Sequence, residues 1–458
     1  MRKLLKVVTW LLIGVASAAV LAIVALFAIN ATDVPLSPEA EALLRTPPPP
    51  APNERNGFID YLALGAPPNA PTYATGVVQL AILNKQADGA LLDVTIDTRV
   101  RSCKSSAVFA CIAKDPELKE VIASHGAFLT RYRAMRKQPV FIDLEVPASP
   151  EEGLHSYLPL NSGQRLSLQQ AAFDFNAGRR TRALDELEAE FRFHRAMAAG
   201  SRILIVKMLA FAMLDIDKLF AADLARRLPT QDHAQWARLQ TLLGPLEPQV
   251  LDVRSVLTVT DAQTAAWMRT RKYVRISDEV RKSMKEYGGH STPAWFNTLS
   301  PWLYRPHYSV NRFVAQSAIV LAVADRPASE FFRAQQEARA RLQEFDTVKA
   351  LILSPGGTFN LYLSDHDYSD YIGRAHTQAA VQSLVALQVR LRASGITNPA
   401  DVQRALAGSL GREYPNPFTG KPMEFNAAKM TLGFASDLKL LPGPTRDLFV
   451  DGRVELPL

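Results

Sequence analysis

Residues Val7–Ile29 read VVTWLLIGVASAAVLAIVALFAI, and this apolar run decides how the rest of the chain is organised. Its 23 residues include no Asp, Glu, Lys, Arg, His or Pro. As an α-helix the run would extend roughly 34 Å, which is enough to cross a bilayer core of about 30 Å. We therefore predict a single N-terminal transmembrane helix that tethers everything after Asn30 to a membrane.

The charges on either side of the run predict its orientation. Arg2, Lys3 and Lys6 precede it, whereas the first charged residues after it are the acidic Asp33 and Glu39. Because Lys and Arg beside a membrane helix stay on the cytoplasmic side, the N-terminus is predicted to be cytoplasmic and the body to lie outside the cytoplasm.

Two alternatives to an uncleaved anchor stay open, a cleaved signal peptide and a buried helix of a soluble protein. The apolar core of a signal peptide has about 7–15 residues and ends in a site of small residues. Here the core is longer, and the small residues Ala16-Ser17-Ala18 lie inside it. A prepilin start is excluded, because pilin-type helices carry a glutamate near their N-terminus and no acidic residue precedes Asp33.

The composition is that of a folded protein with a large core. The chain has 458 residues, of which 48% are hydrophobic and 21% are charged, enough for one large domain or two. Without the three N-terminal cations, 49 Lys and Arg stand against 45 Asp and Glu, which leaves a net charge of +4. This weak charge, with no basic run interleaved with aromatic residues, predicts no nucleic-acid partner.

The two cysteines, Cys103 and Cys111, predict a disulfide bond. An oxidising compartment favours such a pair, but on one straight helix the two residues would stand about 12 Å apart, too far for a bridge. A disulfide therefore requires a turn between them, which Lys104-Ser105-Ser106 can form. Two unpaired buried thiols are the alternative, and no CxxC or Cys-His spacing indicates a metal site.

Composition divides the chain into four predicted segments: a cytoplasmic tip and anchor at 1–30, a proline-rich spacer at 31–55, a helical extracytoplasmic body at 56–410, and a proline-turn and β-hairpin module at 411–458. The spacer contains TPPPPAP, which favours extended polyproline II. In the last segment, Met423–Phe425 and Met430–Phe434 follow turn residues and predict a small antiparallel hairpin.

The body is predicted to be mainly α-helical and without repeats, because apolar residues recur at helical spacing and no helix pair recurs at a period of about 34 residues. The helical patterns cover residues 117–137, 166–228, 233–243, 260–287, 311–324, 328–353, 370–392 and 399–410. Gly178 and Gly200-Ser201 divide 166–228 into three predicted helices. Residues 203–220 are apolar on nearly all sides and predict the central helix of the core. Lys207 within it is interpreted as a lysine that reaches solvent from the core edge, with a functional buried lysine as the alternative.

The stretch YPNPFTGKPM, from Tyr414 to Met423, lies after a predicted helix and before the hairpin. It resembles a closing module of bacterial membrane-anchored proteins. Over about residues 375–434 the chain is also similar to the C-terminal module of type II secretion pseudopilins, although the acidic calcium-binding loop of that family has no clear counterpart here.

The whole order of segments, including PHYSVN at Pro306–Asn311, resembles a family of proteobacterial membrane-anchored envelope proteins. The resemblance implies a single-pass protein of the bacterial inner membrane with its body in the periplasm. It implies no particular reaction, cofactor or partner other than the membrane that Val7–Ile29 would cross.

The chain carries none of the catalytic motifs GxSxG, HExxH, Walker A or GxGxxG. Ser436–Lys439 matches SxxK and Ser309–Asn311 matches SxN, as in penicillin-binding enzymes, but the order is reversed and no KTG follows. Matches this short are common by chance. His290 and His307 are interpreted as loop histidines with structural hydrogen bonds, and no cofactor is predicted.

The densest polar cluster consists of Asp365, His366 and Asp367, with His376 nearby. These four residues are the candidate catalytic residues, because carboxylates and imidazoles can bind a metal or perform acid–base chemistry. The alternative is a polar loop in which Asp367 or Ser369 caps the following helix.

Two functional hypotheses follow. The first is an interaction or scaffold protein of the cell envelope, and the second is an envelope hydrolase or metal-dependent enzyme that uses the cluster at 365–376. The missing motifs favour the first. A pocket that gathers His366, Asp367 and His376 with a distant carboxylate would favour the second.

Overall fold

The computed structural model describes residues 2–146, 156–270, 300–345, 347–355, 357, 368–435, 448–450 and 453–458. Within these ranges the chain is mainly α-helical, with one long apolar N-terminal helix and a small antiparallel sheet near the C-terminus. The predicted fold class is therefore confirmed. The boundaries of the four predicted segments stay a prediction.

The helices up to the centre of the body are α1 (Arg2–Asn30), α2 (Pro38–Leu44), α3 (Gly57–Leu62), α4 (Thr72–Leu83), α5 (Thr98–Ser102), α6 (Val108–Lys114), α7 (Leu118–Ser124), α8 (Gly126–Met135), α9 (Leu158–Asn176), α10 (Arg180–Gly200) and α11 (Leu204–Ala225). Those that follow are α12 (His233–Leu242), α13 (Pro248–Leu251), α14 (Arg254–Met268), α15 (Pro306–Ala324), α16 (Phe331–Gln343), α17 (Thr347–Leu353), α18 (Ser369–Ala393), α19 (Pro399–Ala407) and α20 (Ser409–Glu413).

The helices α9, α10 and α11 form the centre of the body and confirm the predicted division of 166–228 into three. Gly178 follows α9 with a φ of 80°, a conformation that glycine adopts without strain. At the end of α10, a Cβ on Gly200 would collide with the carbonyl of Phe141. The helix α11 is buried along nearly its whole length, as predicted for the central helix, and α18 packs on it.

Lys207 on α11 does not reach solvent. It is 1% exposed, and its ammonium group donates hydrogen bonds to the carbonyls of Ala198 at 2.7 Å and Gln249 at 3.0 Å. Burial lowers the pKa of Lys207 to about 8. The interpretation of a solvent-reaching lysine is therefore wrong, because the side chain joins the end of α10 to α13.

Cys103 and Cys111 form a disulfide bond, as predicted, with their Cα atoms 5.6 Å apart. The required turn is a 3₁₀ helix at Ser105–Ala107, which lies against α11. Arg165 on α9 donates a hydrogen bond to the carbonyl of Cys103 at 2.7 Å. The bridge thus closes a loop that two core helices hold in place.

One helix in the described part of the chain, α1, is long and apolar enough to cross a membrane. Its apolar stretch Lys6–Asn30 has 25 residues, and an 18-residue part of it has a mean hydropathy of 2.8 and is not buried in the body. By length and composition, α1 is the membrane helix that the sequence predicts.

The segment after α1, part of the predicted spacer, packs on the body. Ser37 caps α2 by accepting a hydrogen bond from the backbone N–H of Ala40, as serine commonly does at helix N-termini. Ala40 is fully buried in a small apolar cluster with Met268 of α14 and Phe313 of α15. This stretch of the predicted spacer, which precedes TPPPPAP, is therefore helical and docked on the body.

The predicted hairpin is present and belongs to a four-stranded antiparallel sheet. Its strands are β1 (Glu424–Asn426), β2 (Thr431–Ala435), β3 (Phe449–Val450) and β4 (Arg453–Pro457), in the order β1-β2-β4-β3. Phe434 and Leu432 of β2 are fully buried. The sheet is held to α18, where Gln388 and Arg392 donate hydrogen bonds to the carbonyls of Pro457 and Leu458.

Candidate functional site

The sequence-predicted cluster lies only partly within the described residues. Asp365, His366 and Asp367 fall outside them, as does His290. His376 is described and lies on α18, where its ring packs against Phe331 at 5.3 Å between ring centroids. Whether the four candidate residues come together stays a prediction.

The surroundings of His376 are aromatic, and the residue is half-buried. Phe418, from the proline turn, lies edge-on to the imidazole at 6.4 Å between centroids, and burial lowers the pKa of His376 to about 4. The ring is therefore neutral near pH 7. Its Nε2 atom is buried and has no hydrogen-bond partner among the described residues.

The polar neighbours of His376 on α18 are engaged elsewhere. Asp370, in the first turn of the helix, accepts hydrogen bonds from Gln335 at 2.9 Å and Arg339 at 3.3 Å, both on α16. The guanidinium of Arg374 lies over the ring of Tyr371 at 4.8 Å. The contacts of Asp370 join α16 to α18, whereas that of Arg374 lies within α18, and both are structural.

A buried polar network that the sequence analysis missed crosses the centre of the body. At one end Arg136 pairs with Glu186 and Glu190, each at 2.7 Å. Tyr132 on α8 donates a hydrogen bond to Glu190 at 2.8 Å, and Ser167 on α9 donates one to Glu186 at 2.6 Å. The network thus ties α8 and α9 to α10.

The network continues along α10 to α11. His194 lies one turn after Glu190, with its Nδ1 atom 2.6 Å from the carboxylate of Asp217. Gln164 donates a hydrogen bond to the other oxygen of Asp217, also at 2.6 Å. Glu190, His194, Asp217 and Gln164 are all 0% exposed.

Two pKa shifts show how the network balances its charges. Burial raises the pKa of Glu190 above its usual range, against the attraction of Arg136. Burial would also raise the pKa of Glu186, but Arg136, Ser167 and Arg133 together lower it. Removing one member of such a network would leave a buried charge without its partner.

This network resembles catalytic machinery only in its residue types. An aspartate–histidine pair can serve as a general base when a nucleophile lies within hydrogen-bond reach of the free imidazole nitrogen. In the described part of the chain, the Nε2 atom of His194 has no hydrogen-bond partner, and the carboxylate of Glu190 lies 3.7 Å from it. With every central member fully buried, the arrangement holds helices together.

A second set of buried polar contacts lies between the start of α11 and the start of α9. Asp143 accepts hydrogen bonds from the backbone N–H groups of Arg202 and Ile203, and burial raises the pKa of Asp143 to about 7. Two residues further on, Glu145 accepts a hydrogen bond from the hydroxyl of Tyr157 at 2.8 Å.

A cavity of about 410 Å³ opens beside these contacts. Tyr61 stacks on Tyr157, with 5.4 Å between ring centroids, and also lines the cavity. The walls come from α3, α4, the start of α9 and residues 91–96, and they include the apolar side chains of Leu62, Leu64, Leu91, Leu92, Val94, Ile96 and Leu158. Its volume is in the range of about 300–1,000 Å³ that is usual for ligand sites.

The polar groups of the cavity suit binding. Tyr61 donates a hydrogen bond to the carbonyl of Ser156 at 2.8 Å, and burial raises the pKa of Tyr61, which keeps its hydroxyl protonated. Gln79 of α4 accepts a hydrogen bond from the backbone N–H of Leu92 at 2.7 Å. Ser162 lies on the wall formed by α9. Asp93 and Thr95 also line the cavity, so the result is a cleft in which leucine-rich apolar walls alternate with polar groups that could orient a ligand.

No group of three or more His, Cys, Asp or Glu side chains placed to hold a metal ion occurs in the described part of the chain. The cavity itself gave only a weak signal in the sequence. Its wall at 91–96 lies in no helix or strand, and its other residues are scattered over three helices. By contrast, the helical spacing of Glu186, Glu190 and His194 along the apolar face of α10 was a readable sign of the buried network.

No protein-family model, curated protein or solved structure matches this chain. The resemblance to proteobacterial envelope proteins and to pseudopilins therefore rests on the quoted sequence stretches and stays a proposal.

Proposed function

We propose that this chain is an interaction protein of the bacterial cell envelope. Its N-terminus lies in the cytoplasm, α1 crosses the inner membrane, and the body lies in the periplasm. The charges around α1 support this orientation, and the disulfide between Cys103 and Cys111 fits an oxidising compartment.

One observation favours a binding function over an enzymatic one. The carboxylates and the imidazole in the centre of the body are used on each other in a closed network, whereas the accessible cavity is lined mainly by leucines and other apolar side chains. The enzyme alternative, a hydrolase or metal-dependent enzyme on 365–376, gains no support from His376, whose ring is packed between aromatic side chains.

The cavity would hold an apolar segment of an envelope partner. Its apolar walls would cover the segment, and the hydroxyls of Tyr61 and Ser162 with the side chain of Gln79 would fix its polar groups. Burial of apolar surface supplies most of the binding free energy in such a cleft.

The orientation is tested with fusions at Leu458. Alkaline phosphatase folds actively only outside the cytoplasm, so its fusion is expected to be active, while a reporter that works only in the cytoplasm is expected to be silent. An active cytoplasmic reporter would contradict the proposed topology.

The binding site is tested by photo-cross-linking in intact cells. A photoreactive phenylalanine analogue at Leu92, on the cavity wall, should yield one discrete cross-linked species. The matched control carries the analogue at Val78, an exposed residue of α4 outside the cavity lining, and should yield none. A species that forms equally from Val78, or none from Leu92, would count against the cavity as the binding site.

A further inference from the structure

We propose that the body lies directly on the membrane that α1 crosses, through a lipid-facing patch of Trp302, Val348 and Ile352. These side chains are 64%, 71% and 47% exposed, respectively. Trp302 lies in a 3₁₀ turn at Ser300–Leu303, and Val348 and Ile352 lie four residues apart on one face of α17. The proposal rests on α1 being a membrane anchor and goes beyond it by assigning the body a fixed contact with lipid.

The patch adjoins the end of the membrane helix. Both the 3₁₀ turn and α17 contact α1. Asn30, the last residue of α1, is buried and donates a hydrogen bond to the carbonyl of Ile352 at 3.0 Å. The patch is therefore continuous with the surface that lipid would surround.

The body also covers part of the apolar stretch. Leu26 and Phe27 are half-buried, whereas the preceding residues of the stretch are exposed. Leu26 lies one turn before Asn30, about 6 Å along the helix. A body that reaches Leu26 extends to the depth at which α1 leaves the hydrocarbon core, so its neighbouring surface meets the lipid headgroups.

The chemistry of the patch fits that depth. Tryptophan is enriched at the boundary between headgroups and acyl chains, because its ring is apolar and its N–H can donate a hydrogen bond. Val348 and Ile352 form a short apolar face, which is how peripheral helices insert into a bilayer surface. Large apolar side chains that are exposed around the end of one apolar helix mark an interaction site when they form a common surface. Lipid, and not another protein, is the partner of this patch, because the patch is continuous with α1.

The junction keeps the patch in place. Asn311 of α15 donates a hydrogen bond to the carbonyl of Pro35 at 2.9 Å and accepts one from the N–H of Ser37 at 2.8 Å. His307 contacts the carbonyl of Val34 through Nδ1 at 3.0 Å. These bonds fix the chain that leaves the membrane to the body.

The test uses the full chain in phosphatidylcholine vesicles, with one introduced cysteine carrying an environment-sensitive fluorophore. The native cysteines are bonded to each other, so only the new thiol reacts. Three exposed valines make a matched set: Val20 in α1, Val78 on α4, and Val348 in the patch, which are 59%, 56% and 71% exposed. Lipids with a nitroxide on the acyl chain then quench any fluorophore at membrane depth.

Labels on Val20→Cys and Val348→Cys should be quenched several-fold more strongly than a label on Val78→Cys. Quenching at Val348 no greater than at Val78, with Val20 still quenched, would overturn the patch and leave the anchor standing. Absence of quenching at Val20 would overturn the anchor and the patch together. A label at Val348 shielded from both the nitroxide and aqueous iodide would show a protein cover and overturn the lipid contact.

Discussion

The carboxylate of Asp33 lies 2.7 Å from the backbone nitrogen of His307, whose N–H donates a hydrogen bond to it. Asp33 also accepts a hydrogen bond from the N–H of Tyr308 at 3.1 Å. A residue just past α1 thus caps α15, whose first N–H groups have no partner inside the helix. The connection between α1 and the body is therefore held by specific hydrogen bonds.

Asp33→Ala should loosen this junction. Loss of an N-terminal cap typically costs about 0.5–2 kcal/mol, and here it should appear as faster proteolysis within residues 31–46 and a lower melting temperature. Glu39→Ala is the control, because Glu39 is an exposed acidic residue of α2 in the same segment. Equal effects from the two substitutions would contradict the capping role.

Arg136→Ala should destabilise the body far more than Arg133→Ala, although both arginines pair with Glu186. The side chain of Arg136 is 3% exposed, whereas that of Arg133 is 32% exposed. Breaking a buried pair costs about 3–5 kcal/mol, while a partly exposed pair contributes up to about 1 kcal/mol. Chemical denaturation of both variants measures the difference, and similar losses would rule out the network as the cause.

Asp143 should make stability fall as the pH rises towards neutrality. Burial raises its pKa to about 7 in the folded protein, whereas an unfolded aspartate titrates near about 3.9. Between these values the folded state binds more protons at this site, so the free energy of unfolding decreases with increasing pH. This contribution is fully present below about pH 4 and lost above about pH 7.

Asp143→Asn should remove that part of the pH dependence, because an amide does not titrate and its oxygen can still accept from Arg202 and Ile203. Unfolding free energies at several pH values between about 4 and 7 give the slope. Burial also raises the pKa of Asp261 to about 7, so part of the slope should persist until Asp261→Asn is added. A slope unchanged in both variants would contradict the assignment.

Reduction of the disulfide should lower stability by about 2–3 kcal/mol, the value expected for closing a short loop. Under denaturing conditions without reductant, a maleimide should label no thiol, and with reductant it should label both Cys103 and Cys111. The variant with serine at both positions serves as the control, and its melting temperature should not respond to reductant. Two reactive thiols before reduction would disprove the bridge in the isolated protein.

Phe434→Ala should cost about 3–5 kcal/mol, as deletion of a buried phenylalanine ring usually does. Phe434 is fully buried, and its ring lies 6.3 Å from that of Phe418, which contacts Phe332 of α16. Phe425 of β1 is only half-buried, so Phe425→Ala should cost clearly less. Comparable losses of melting temperature would show that the sheet is not docked through β2.

The sequence predicted the elements whose signals are local. The apolar run of α1, the glycines that divide α9, α10 and α11, and the pair Cys103–Cys111 could all be read from neighbouring residues. Helical periodicity and turn chemistry depend on positions a few residues apart, and a single sequence displays them directly. The predicted strand at Met423–Phe425 likewise overlaps β1.

Contacts between residues that are distant along the chain could not be predicted from the sequence. Lys207 looked like an edge residue, because nothing nearby in sequence shows that the carbonyls of Ala198 and Gln249 would surround its ammonium group. Phe425 lies opposite Leu432 and shares the sheet face of Leu432 and Phe434, yet it is only half-buried whereas they are fully buried. The difference follows from the strand order, because β1 is an edge strand and β2 lies between β1 and β4.

The sequence by itself determined the long apolar N-terminal helix, the mainly helical body, the bridge and the C-terminal hairpin, since each follows from the chemistry of one short stretch. Only the tertiary structure decided that Asp33 caps α15, that Glu190, His194 and Asp217 meet in the core, and that a leucine-lined cavity opens beside Tyr61. The physical reason is that charge pairing, capping and cavities depend on distances between atoms from separate helices. Those distances exist only after the chain has packed.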